Sequence, residues 1–287
     1  MALTHLVEHY CELPIRLRKP LWRFLHYLVG KLDGGGSTLF LNYGFAGGNG
    51  TAPELALSPE EEKDRNAIQL YHHVSAAVDL RNASVLEVGC GRGGGAAFLS
   101  RRLEPSEYIG LDISRATTAF CNDIHKIPGL TFVQGEAEGI PFPANRFEAV
   151  INIESARCYG DLGAFFREVF RVLKPRGHFL FADLFRRGDL DGARAGLLKE
   201  GFQTLRASDI RENVINALRQ DSEAREAAIE SRVPEFMKRG FHEVSATARS
   251  DRFRAFVDGD FEYWSFVLRK PRQLPEALED HAPAWKE

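Results

Sequence analysis

The sequence is short of cysteine, of excess charge and of long apolar runs. Its four cysteines stand at positions 11, 90, 121 and 158 and form no CxxC pair and no cluster with histidine. This pattern argues against a metal site and is typical of reduced thiols in the cytoplasm. The net charge is only −3, so a nucleic-acid partner is not expected.

No apolar run is long enough to span a bilayer. The most apolar stretch near the N-terminus, residues 21–29, contains Arg23 and His26 and is far shorter than the roughly 20 residues of a transmembrane helix. Charged side chains within residues 8–12 interrupt the apolar core that a signal peptide would need. We therefore expect a soluble, cytoplasmic protein without stable membrane insertion.

What the sequence does contain is an alternation of strand and helix patterns. Apolar runs predict strands over 85–88, 107–111, 130–133, 147–152, 178–182, 241–248 and 261–268. Helical patterns cover 94–103, 115–125, 162–173 and 203–220, and a further helix follows the N-cap Ser58 and runs to about Val78. This order predicts an α/β fold with a doubly wound, mostly parallel sheet and a reversed last strand.

Further segments are predicted around this core. Residues 1–57 predict a helical cap, with apolar side chains at helical spacing over 2–30. The cap either packs on the domain, covers a substrate as a lid or forms a homo-oligomer contact, or presents a basic amphipathic helix to a membrane surface. A binding domain spans 58–270, and its charged stretch 186–232 is interpreted as a helical lid insertion before the last two strands. Residues 271–287 are left as a polar tail.

The stretch from Val85 to Gly95 organises the chain. A short apolar strand, Val85–Val88, leads into a turn crowded with glycines, and a helical pattern starts directly behind it. A strand that leads through such a turn to a helix N-terminus commonly grips nucleotide-like ligands. Gly89, Gly91 and Gly94 match the dinucleotide fingerprint by spacing, which alone would favour a nicotinamide enzyme.

Two carboxylates favour a different ligand. Glu87 precedes the first glycine by two residues, where it would repel a pyrophosphate and attract a ligand with an ammonium and a sulfonium group. Asp112 closes the next predicted strand and can accept hydrogen bonds from both hydroxyls of a ribose. The two strands predicted at the end of the chain also fit a reversed last strand better than a second mononucleotide-binding half.

Four motifs carry a family resemblance. They are residues 85–95, 110–114, 135–142 and 171–177, and in order and spacing they resemble the motifs of class I S-adenosylmethionine-dependent methyltransferases. The resemblance implies a Rossmann-like fold with S-adenosylmethionine as the cofactor. The cofactor contacts that it implies are Glu87, Gly89 and Gly91 under the methionine part, Asp112 on the ribose, Ile113, Glu136 and Ala137 around the adenine, Asn152 near the methionine and the upstream Tyr43.

A closer resemblance runs from about residue 40 to residue 183. Residues 70–73, 90–95 and 153–159 resemble the enzymes that O-methylate phthiotriol and phenolphthiotriol dimycocerosate lipids, and related natural-product methyltransferases. This resemblance implies a hydrophobic small-molecule acceptor, such as a polyketide, lipid or terpenoid, and methylation of a hydroxyl group.

One position departs from that group of enzymes. Arg157 stands where they usually have histidine, and an arginine stays charged and cannot accept a hydroxyl proton. Glu154, just past the fourth predicted strand, is the first candidate for the proton acceptor, followed by His72, His73 and Tyr159. Arg157 itself is interpreted either as a clamp for a substrate carboxylate or diphosphate or as part of a plain surface or helix-capping salt bridge.

The same position leaves the type of reaction open. Prenyl-diphosphate and sterol C-methyltransferases carry a glutamate at the position matching Glu154, and resemblance to them implies C-methylation of an alkene, with or without cyclisation. There the carboxylate would stabilise a carbocation or remove a proton. N-methylation and a cofactor-binding protein that transfers no methyl group are further alternatives. Methyl transfer requires no metal, and the sequence offers no ligand cluster for one.

Overall fold

The computed structural model describes residues 38–47 and 55–272, which are built around one mixed sheet. Its strands are β1 (Ser84–Val88), β2 (Glu107–Asp112), β3 (Leu130–Gln134), β4 (Phe147–Ile153), β5 (Leu173–Arg186), β6 (Gln203–Asp209) and β7 (Phe261–Arg269). They lie in the order β3-β2-β1-β4-β5-β7-β6. β7 runs antiparallel to both of its neighbours, β5 and β6, and the other four strand pairs are parallel. The predicted α/β fold with a mostly parallel sheet and a reversed last strand is therefore confirmed.

Helices cover both faces of the sheet. The α-helices of the described residues are α1 (Arg65–Ser75), α2 (Gly94–Leu103), α3 (Arg115–Ile124), α4 (Leu162–Val172), α5 (Leu190–Lys199), α6 (Arg211–Arg232), α7 (Glu235–Val244) and α8 (Asp251–Val257). Successive residues of β1 alternate between two apolar clusters, with Val85 in one and Leu86 in the other. All five residues of β1 are buried, as expected for a central parallel strand with helices on both sides.

The local signals that set the first helix are present in the structure. The Ser58 hydroxyl accepts a hydrogen bond from the backbone N of Glu61, and the Glu61 carboxylate accepts one from the backbone N of Ser58. This reciprocal pair is a capping box. The chain then passes through a short 3-10 turn, Glu62–Asp64, into α1, which ends three residues before the predicted boundary at Val78.

Two of the predicted elements are wrong. The helix predicted over 203–220 begins only at Arg211, because residues 203–209 form the edge strand β6. Most side chains of β6 are exposed, so the strand carries no alternating apolar signal. The strand predicted over 241–248 is instead the end of α7 and a following turn. Both edges of β7 are already taken by β5 and β6, which leaves no partner there for another strand.

The edge strand β6 also lies within the stretch that was predicted as a helical insertion. Residues 186–232 are not purely helical, because β6 lies between α5 and α6, and most of the helical material stands between β6 and β7. The predicted cap over 1–57, with its homo-oligomer contact, lies outside the described residues except for 38–47 and 55–57, and so does the tail from 273 onward. Within the described residues, no helix is long and apolar enough to cross a membrane.

Candidate active site

A cleft opens at the carboxyl ends of β1, β2 and β4. The strand order changes direction between β1 and β4, and such a switch point leaves a crevice beyond the strand ends. The empty space of this cleft, including the part that is open to solvent, is about 930 Å³. The predicted site residues that line it are Gly89, Gly91, Asp112, Ile113, Ala137, Glu154, Arg157 and Tyr159. The predicted residues outside its lining are Tyr43, His72, Glu87, Glu136 and Asn152.

The glycine loop forms the floor of the cleft. Gly89 and Gly91 have φ angles of +76° and +50°, a region that side-chain-bearing residues rarely adopt. A Cβ atom on Gly89 would come within 2.3 Å of the Ser155 hydroxyl oxygen. A Cβ atom on Gly94 would come within 2.7 Å of the Leu39 carbonyl oxygen. Glycine is therefore required both for the turn and for the close approach of two neighbouring segments.

Asp112 ends β2 at the rim of the cleft. Its side chain is almost fully buried, with 7% exposure. One carboxylate oxygen accepts a hydrogen bond from the backbone N of Gly91 at 3.2 Å, and the other accepts one from the backbone N of Ser114 at 2.9 Å. The carboxylate is thus fixed against the glycine loop and at the cleft wall, next to Ile113. This position fits the predicted contact with ribose hydroxyls.

Glu87 lies behind the cleft rather than in its wall. Its two carboxylate oxygens accept hydrogen bonds of 2.8 Å from the hydroxyls of Tyr71 and Tyr108. Burial raises the pKa of Glu87 to about 7, although both tyrosine hydrogen bonds act in the opposite direction. Of these three residues, Tyr71 is the one that reaches the cleft lining. Glu87 therefore acts on the cleft through Tyr71 and not as an open carboxylate.

The segment upstream of the domain contributes a wall of the cleft. Residues 39–42 line it, and Leu41 is the most exposed of them, at 40%. Tyr43, the aromatic residue expected to close over the cofactor, points into the core with 2% exposure. Its ring contacts Phe256 edge to face, with the ring centroids 5.5 Å apart.

The loop after β3 contributes one of its two predicted contacts. Ala137 lines the cleft, whereas Glu136 forms an isolated backbone bridge with Gly139 outside the lining. Glu138 replaces Glu136 in the wall, and its carboxylate accepts a hydrogen bond of 2.8 Å from the backbone N of Gly160. The carboxylate that reaches the cleft here is therefore two positions after the one predicted from the motif.

A polar cluster lies under the glycine loop at the end of β4. The Asn152 amide nitrogen contacts the Val88 carbonyl at 2.9 Å, the Ser155 hydroxyl at 2.7 Å and the Tyr159 hydroxyl at 2.9 Å. The hydroxyls of Ser155 and Tyr159 are themselves 2.8 Å apart. Burial raises the pKa of Tyr159 well above its usual range. Tyr159 is consequently a neutral hydrogen-bonding group that fixes the loop.

Glu154 follows β4 directly and has a φ angle of +54°, which is uncommon for a residue other than glycine. Its backbone N donates to the Ala182 carbonyl of β5 at 2.9 Å. One carboxylate oxygen accepts hydrogen bonds from the backbone N of Tyr43 at 2.7 Å and from the Tyr263 hydroxyl at 2.9 Å. Burial raises the pKa of Glu154, and the nearby Arg157 acts against that rise. A carboxylate with raised proton affinity thus lines the cleft.

Arg157 lies between two buried carboxylates. Its guanidinium donates to Asp183 Oδ1 at 2.9 Å, and its other terminal nitrogen lies 3.5 Å from Glu154 Oε2. Its backbone N also donates to Asp183 Oδ2 at 3.1 Å. Arg157 forms a salt bridge, but a buried one rather than the surface or helix-capping pair expected from sequence, and its side chain is 15% exposed.

The two histidines of α1 are placed away from this cluster. His72 lies outside the cleft lining, and burial together with the nearby Arg102 lowers its pKa. The His73 ring stacks on Phe45 with a centroid distance of 4.4 Å, and burial lowers the pKa of His73 to about 4. Neither residue is therefore positioned to meet a ligand in the cleft.

Three residues of the site escaped the sequence interpretation. Tyr71 and Tyr263 contact Glu87 and Glu154 across 16 and 109 positions of the chain, and no local pattern marks them. Asp183 could have been found, because it follows the buried run Phe179–Ala182 of β5 in the way that Asp112 follows the apolar run of β2. Carboxylates at the carboxyl ends of parallel strands meet at the same edge of a sheet.

The cleft fits the cofactor that the motifs imply. It combines a positive-φ glycine loop, a fixed carboxylate at the end of β2 and small or apolar residues at positions 113 and 137. The Asn152 Oδ1 atom, behind the cleft lining, is buried without a hydrogen-bond partner among the described residues. In the described part of the chain, no group of three or more His, Cys, Asp or Glu residues is arranged to hold a metal ion.

Comparisons with known proteins cover the part of the chain that forms this cleft. A methyltransferase-domain family model matches residues 86–181, from β1 into β5. The chain is 32% identical over 252 residues to the phthiotriol/phenolphthiotriol dimycocerosates methyltransferase of Mycobacterium tuberculosis, with 88% of this chain and 93% of that protein covered. It is 34% identical to the fatty-acid O-methyltransferase of Mycolicibacterium smegmatis, with 82% and 84% covered.

Solved structures share the architecture at lower identity. The cyclase SpnF superposes with a TM-score of 0.68 at 21% identity, over 88% of this chain and 95% of that chain. Geranyl diphosphate C-methyltransferase from Streptomyces coelicolor superposes with a TM-score of 0.59 at 16% identity, over 83% and 93%. These likenesses concern the fold.

Proposed function

Because the chain belongs to the S-adenosylmethionine-dependent methyltransferases, we propose that it methylates a hydroxyl group of an uncharged hydrophobic molecule such as a lipid, polyketide or terpenoid. The observation that carries this proposal is the cluster of Glu154, Arg157 and Asp183 at the cleft. Two carboxylates face one guanidinium there. The cluster therefore offers a proton acceptor and does not favour the binding of an anionic substrate group.

The lining of the cleft suggests which residues would bind the cofactor. S-adenosylmethionine supplies the methyl group on an activated sulfonium. Gly89 and Gly91 would hold its methionine part, Asp112 its ribose, and Ile113 and Ala137 its adenine. The task of these residues is to align the donor and to exclude water, which are the main contributions that a protein makes to such a transfer.

Residues behind the lining support this half of the site. Glu87 fixes Tyr71 through the hydrogen bond between them, and Asn152 fixes Ser155 and Tyr159 beneath the glycine loop. In this proposal they hold the shape of the cleft and do not contact the reacting atoms. Tyr159 is accordingly a structural hydrogen-bonding group rather than a base.

The wall of the cleft contains apolar side chains. Leu39, Phe40, Leu41 and Ile153 line it, the first three beside the glycine loop and Ile153 directly before Glu154 in the chain. Such a wall suits a hydrophobic acceptor, in keeping with the lipid substrates in the names of the phthiotriol and fatty-acid methyltransferases that the chain resembles. We take this class of substrate over to the chain as part of the proposal.

Glu154 is the proposed proton acceptor. It lines the cleft, and burial raises its pKa toward the range in which a carboxylate is an effective base. His72 lies outside the lining, and the hydroxyl of Tyr159 is engaged by Ser155 and Asn152, so both are weaker candidates. The acceptor hydroxyl would lose its proton to Glu154 as the oxygen takes the methyl group.

The pairing of Arg157 bears on the alternative, C-methylation of a prenyl diphosphate. A diphosphate needs positive charge, and the guanidinium of Arg157 is shared between Asp183 at 2.9 Å and Glu154 at 3.5 Å. An anion placed beside Arg157 would meet both carboxylates as well. The cluster therefore favours a neutral acceptor over a diphosphate, and O-methylation over C-methylation of a prenyl diphosphate; C-methylation of a neutral alkene stays an alternative that the assay below decides.

The test is a transfer assay with a labelled methyl donor. The full chain is incubated with methyl-labelled S-adenosylmethionine and a panel of long-chain alcohols, polyketide alcohols, fatty acids, amines and prenyl diphosphates. We expect the label on the oxygen of a neutral alcohol, with S-adenosylhomocysteine released in equal amount. Label on carbon or nitrogen, or preference for an anionic acceptor, would contradict the proposal. Binding of the cofactor without release of S-adenosylhomocysteine for any acceptor would point to a non-methylating protein.

A further inference from the structure

Asp183 accepts three hydrogen bonds in the buried cluster. It lies near the end of β5 with 1% exposure. Its Oδ1 atom accepts from the guanidinium of Arg157 at 2.9 Å and from the backbone N of Leu184 at 2.8 Å, and its Oδ2 atom accepts from the backbone N of Arg157 at 3.1 Å. Asp183 therefore fixes both the backbone and the side chain of Arg157.

Arg157 makes a weaker contact on its other side. Its second terminal nitrogen lies 3.5 Å from Glu154 Oε2, at the limit of a hydrogen bond. The other oxygen of Glu154 is held by the backbone N of Tyr43 and the hydroxyl of Tyr263. Glu154 is thus oriented by neutral donors on one oxygen and faces the guanidinium with the other.

This arrangement answers a chemical difficulty. An arginine beside a lone glutamate favours the ionised carboxylate and makes it a poorer base. A second carboxylate that takes the closer contact with the same guanidinium opposes that effect. Asp183 is this second carboxylate, because its Oδ1 atom lies 2.9 Å from the guanidinium of Arg157, whereas Glu154 Oε2 lies 3.5 Å from it.

We infer that Asp183 is a positioning residue that holds Arg157 between two carboxylates, so that the guanidinium orients Glu154 without taking away its ability to accept a proton. The inference rests on the proposed function, in which Glu154 receives the proton of the acceptor hydroxyl. Asp183 itself contacts neither the acceptor nor the cofactor in this scheme.

The charged and titratable groups that face Glu154 come from four elements. They are Arg157 in the turn after β4, Asp183 in β5, Tyr263 in β7 and Tyr71 in α1. Burial raises the pKa of Glu154, Arg157 lowers it and Asp183 raises it. Removing the charge of Asp183 should therefore lower the pKa of Glu154, and removing that of Arg157 should raise it.

The experiment compares Asp183→Asn with Arg157→Gln in the full chain. Activity that needs ionised Glu154 rises with pH, so kcat/KM should show an acid limb at the pKa of Glu154. We expect this limb to move by roughly 0.5–1 pH unit to lower pH in Asp183→Asn and by a similar amount to higher pH in Arg157→Gln. Asp183→Glu keeps the charge and should keep the limb near that of the wild type.

A second readout does not depend on activity. Carbon-13 labelling of glutamate carboxyl groups lets NMR follow the titration of Glu154, with its signal assigned by its loss in Glu154→Gln. We expect the midpoint of this titration to move to lower pH in Asp183→Asn and to higher pH in Arg157→Gln. The matched control is Glu107→Gln, which breaks an arginine–carboxylate contact to Arg146 at the start of β2 and should move neither readout.

The outcomes separate the inference from the proposed function. Lower activity of Asp183→Asn with an unshifted limb and an unshifted NMR titration would show a merely structural role and overturn the inference. If Asp183→Asn does not fold, Arg157→Gln decides alone. An unshifted Glu154 titration in that variant would likewise overturn the inference. A wild type that transfers no methyl group would overturn the proposed function, while the NMR titration would still decide on Asp183.

Discussion

The hydroxyl of Tyr71 donates a 2.8 Å hydrogen bond to Glu87, and the ring of the same tyrosine lies directly over Gly95. A Cβ atom at Gly95 would come within 1.9 Å of that ring. One side chain of α1 therefore ties the strand before the glycine loop to the helix after it. Because Tyr71 also lines the cleft, the packing behind the loop and the shape of the site depend on one another.

Glu87 should make stability fall as pH rises. Burial raises its pKa to about 7, so between about pH 4.5 and 7 the folded chain binds a proton that the unfolded chain has released. The free energy of unfolding of the wild type, relative to Glu87→Gln, should decrease over this window by up to about 3 kcal/mol and be constant above it. Urea unfolding at a series of pH values measures this difference.

Glu148→Gln provides the control with the opposite sign. Although burial acts against it, the hydrogen bond from Lys174 leaves the pKa of Glu148 below its usual range. The contribution of Glu148 to the free energy of unfolding should therefore be present above the pKa that this side chain has in the unfolded chain, and it should be lost as pH falls. Equal pH dependence of the wild type and Glu87→Gln would contradict the assignment of a proton to Glu87.

Asp112→Ala should weaken cofactor binding by roughly 10- to 100-fold, because hydrogen bonds to a charged group contribute about 1.5–3 kcal/mol. Calorimetric titration with S-adenosylhomocysteine measures the affinity. Asp123→Ala, in the exposed end of α3, is the matched control and should bind as the wild type does. Unchanged affinity of Asp112→Ala would remove the ribose assignment.

Glu154→Gln should leave cofactor affinity unchanged and lower kcat by about 10²–10⁴-fold, the usual contribution of a general base. The measurement combines the labelled-methyl assay with calorimetry on the same preparation. Glutamine keeps the shape of the side chain and can still accept hydrogen bonds from Tyr43 and Tyr263, so a folding defect is not expected. Full activity of this variant would exclude Glu154 as the base.

Two helical glycines should respond to alanine with opposite signs. Gly95→Ala forces the ring of Tyr71 aside and should lower the free energy of unfolding by about 1–3 kcal/mol. Gly192 in α5 has open space around its Cβ position, so Gly192→Ala should raise stability by about 0.5–1 kcal/mol through helix propensity. Thermal and urea unfolding check both, and destabilisation by Gly192→Ala would refute this account.

Sequence alone located the residues that stand at strand ends. Asp112 and Glu154 were placed correctly, because a polar side chain directly after a buried parallel strand must lie at the carboxyl edge of the sheet. Glu87 was assigned to the ligand, yet it lies inside β1 and shares a sheet face with Val85. Because side chains alternate between the two faces of a strand, the Glu87 side chain points to one face of the sheet, where it contacts Tyr71 and Tyr108, and not beyond the strand end into the cleft.

The rest depended on contacts between distant parts of the chain. β6 is an exposed edge strand held by its backbone pairing to β7, so its side chains carry no pattern to detect. The orientation of Tyr43 into the core depends on Phe256, which lies more than 200 positions further along the chain. Local patterns therefore predicted the parallel half of the sheet and the cofactor loop, while the surroundings of the reacting groups could only be seen in the assembled structure.

The proposed role of Glu154 has a consequence for when the chain can become active. One oxygen of its carboxylate is held by Tyr43, upstream of β1, and by Tyr263 in β7. During translation the ribosome releases β1 to β5 long before β7, the strand that pairs with both β5 and β6. A nascent chain that ends before residue 263 can complete the cofactor loop but lacks the hydroxyl that holds the proposed base, so we expect methyl transfer to begin only when the last strand has joined the sheet.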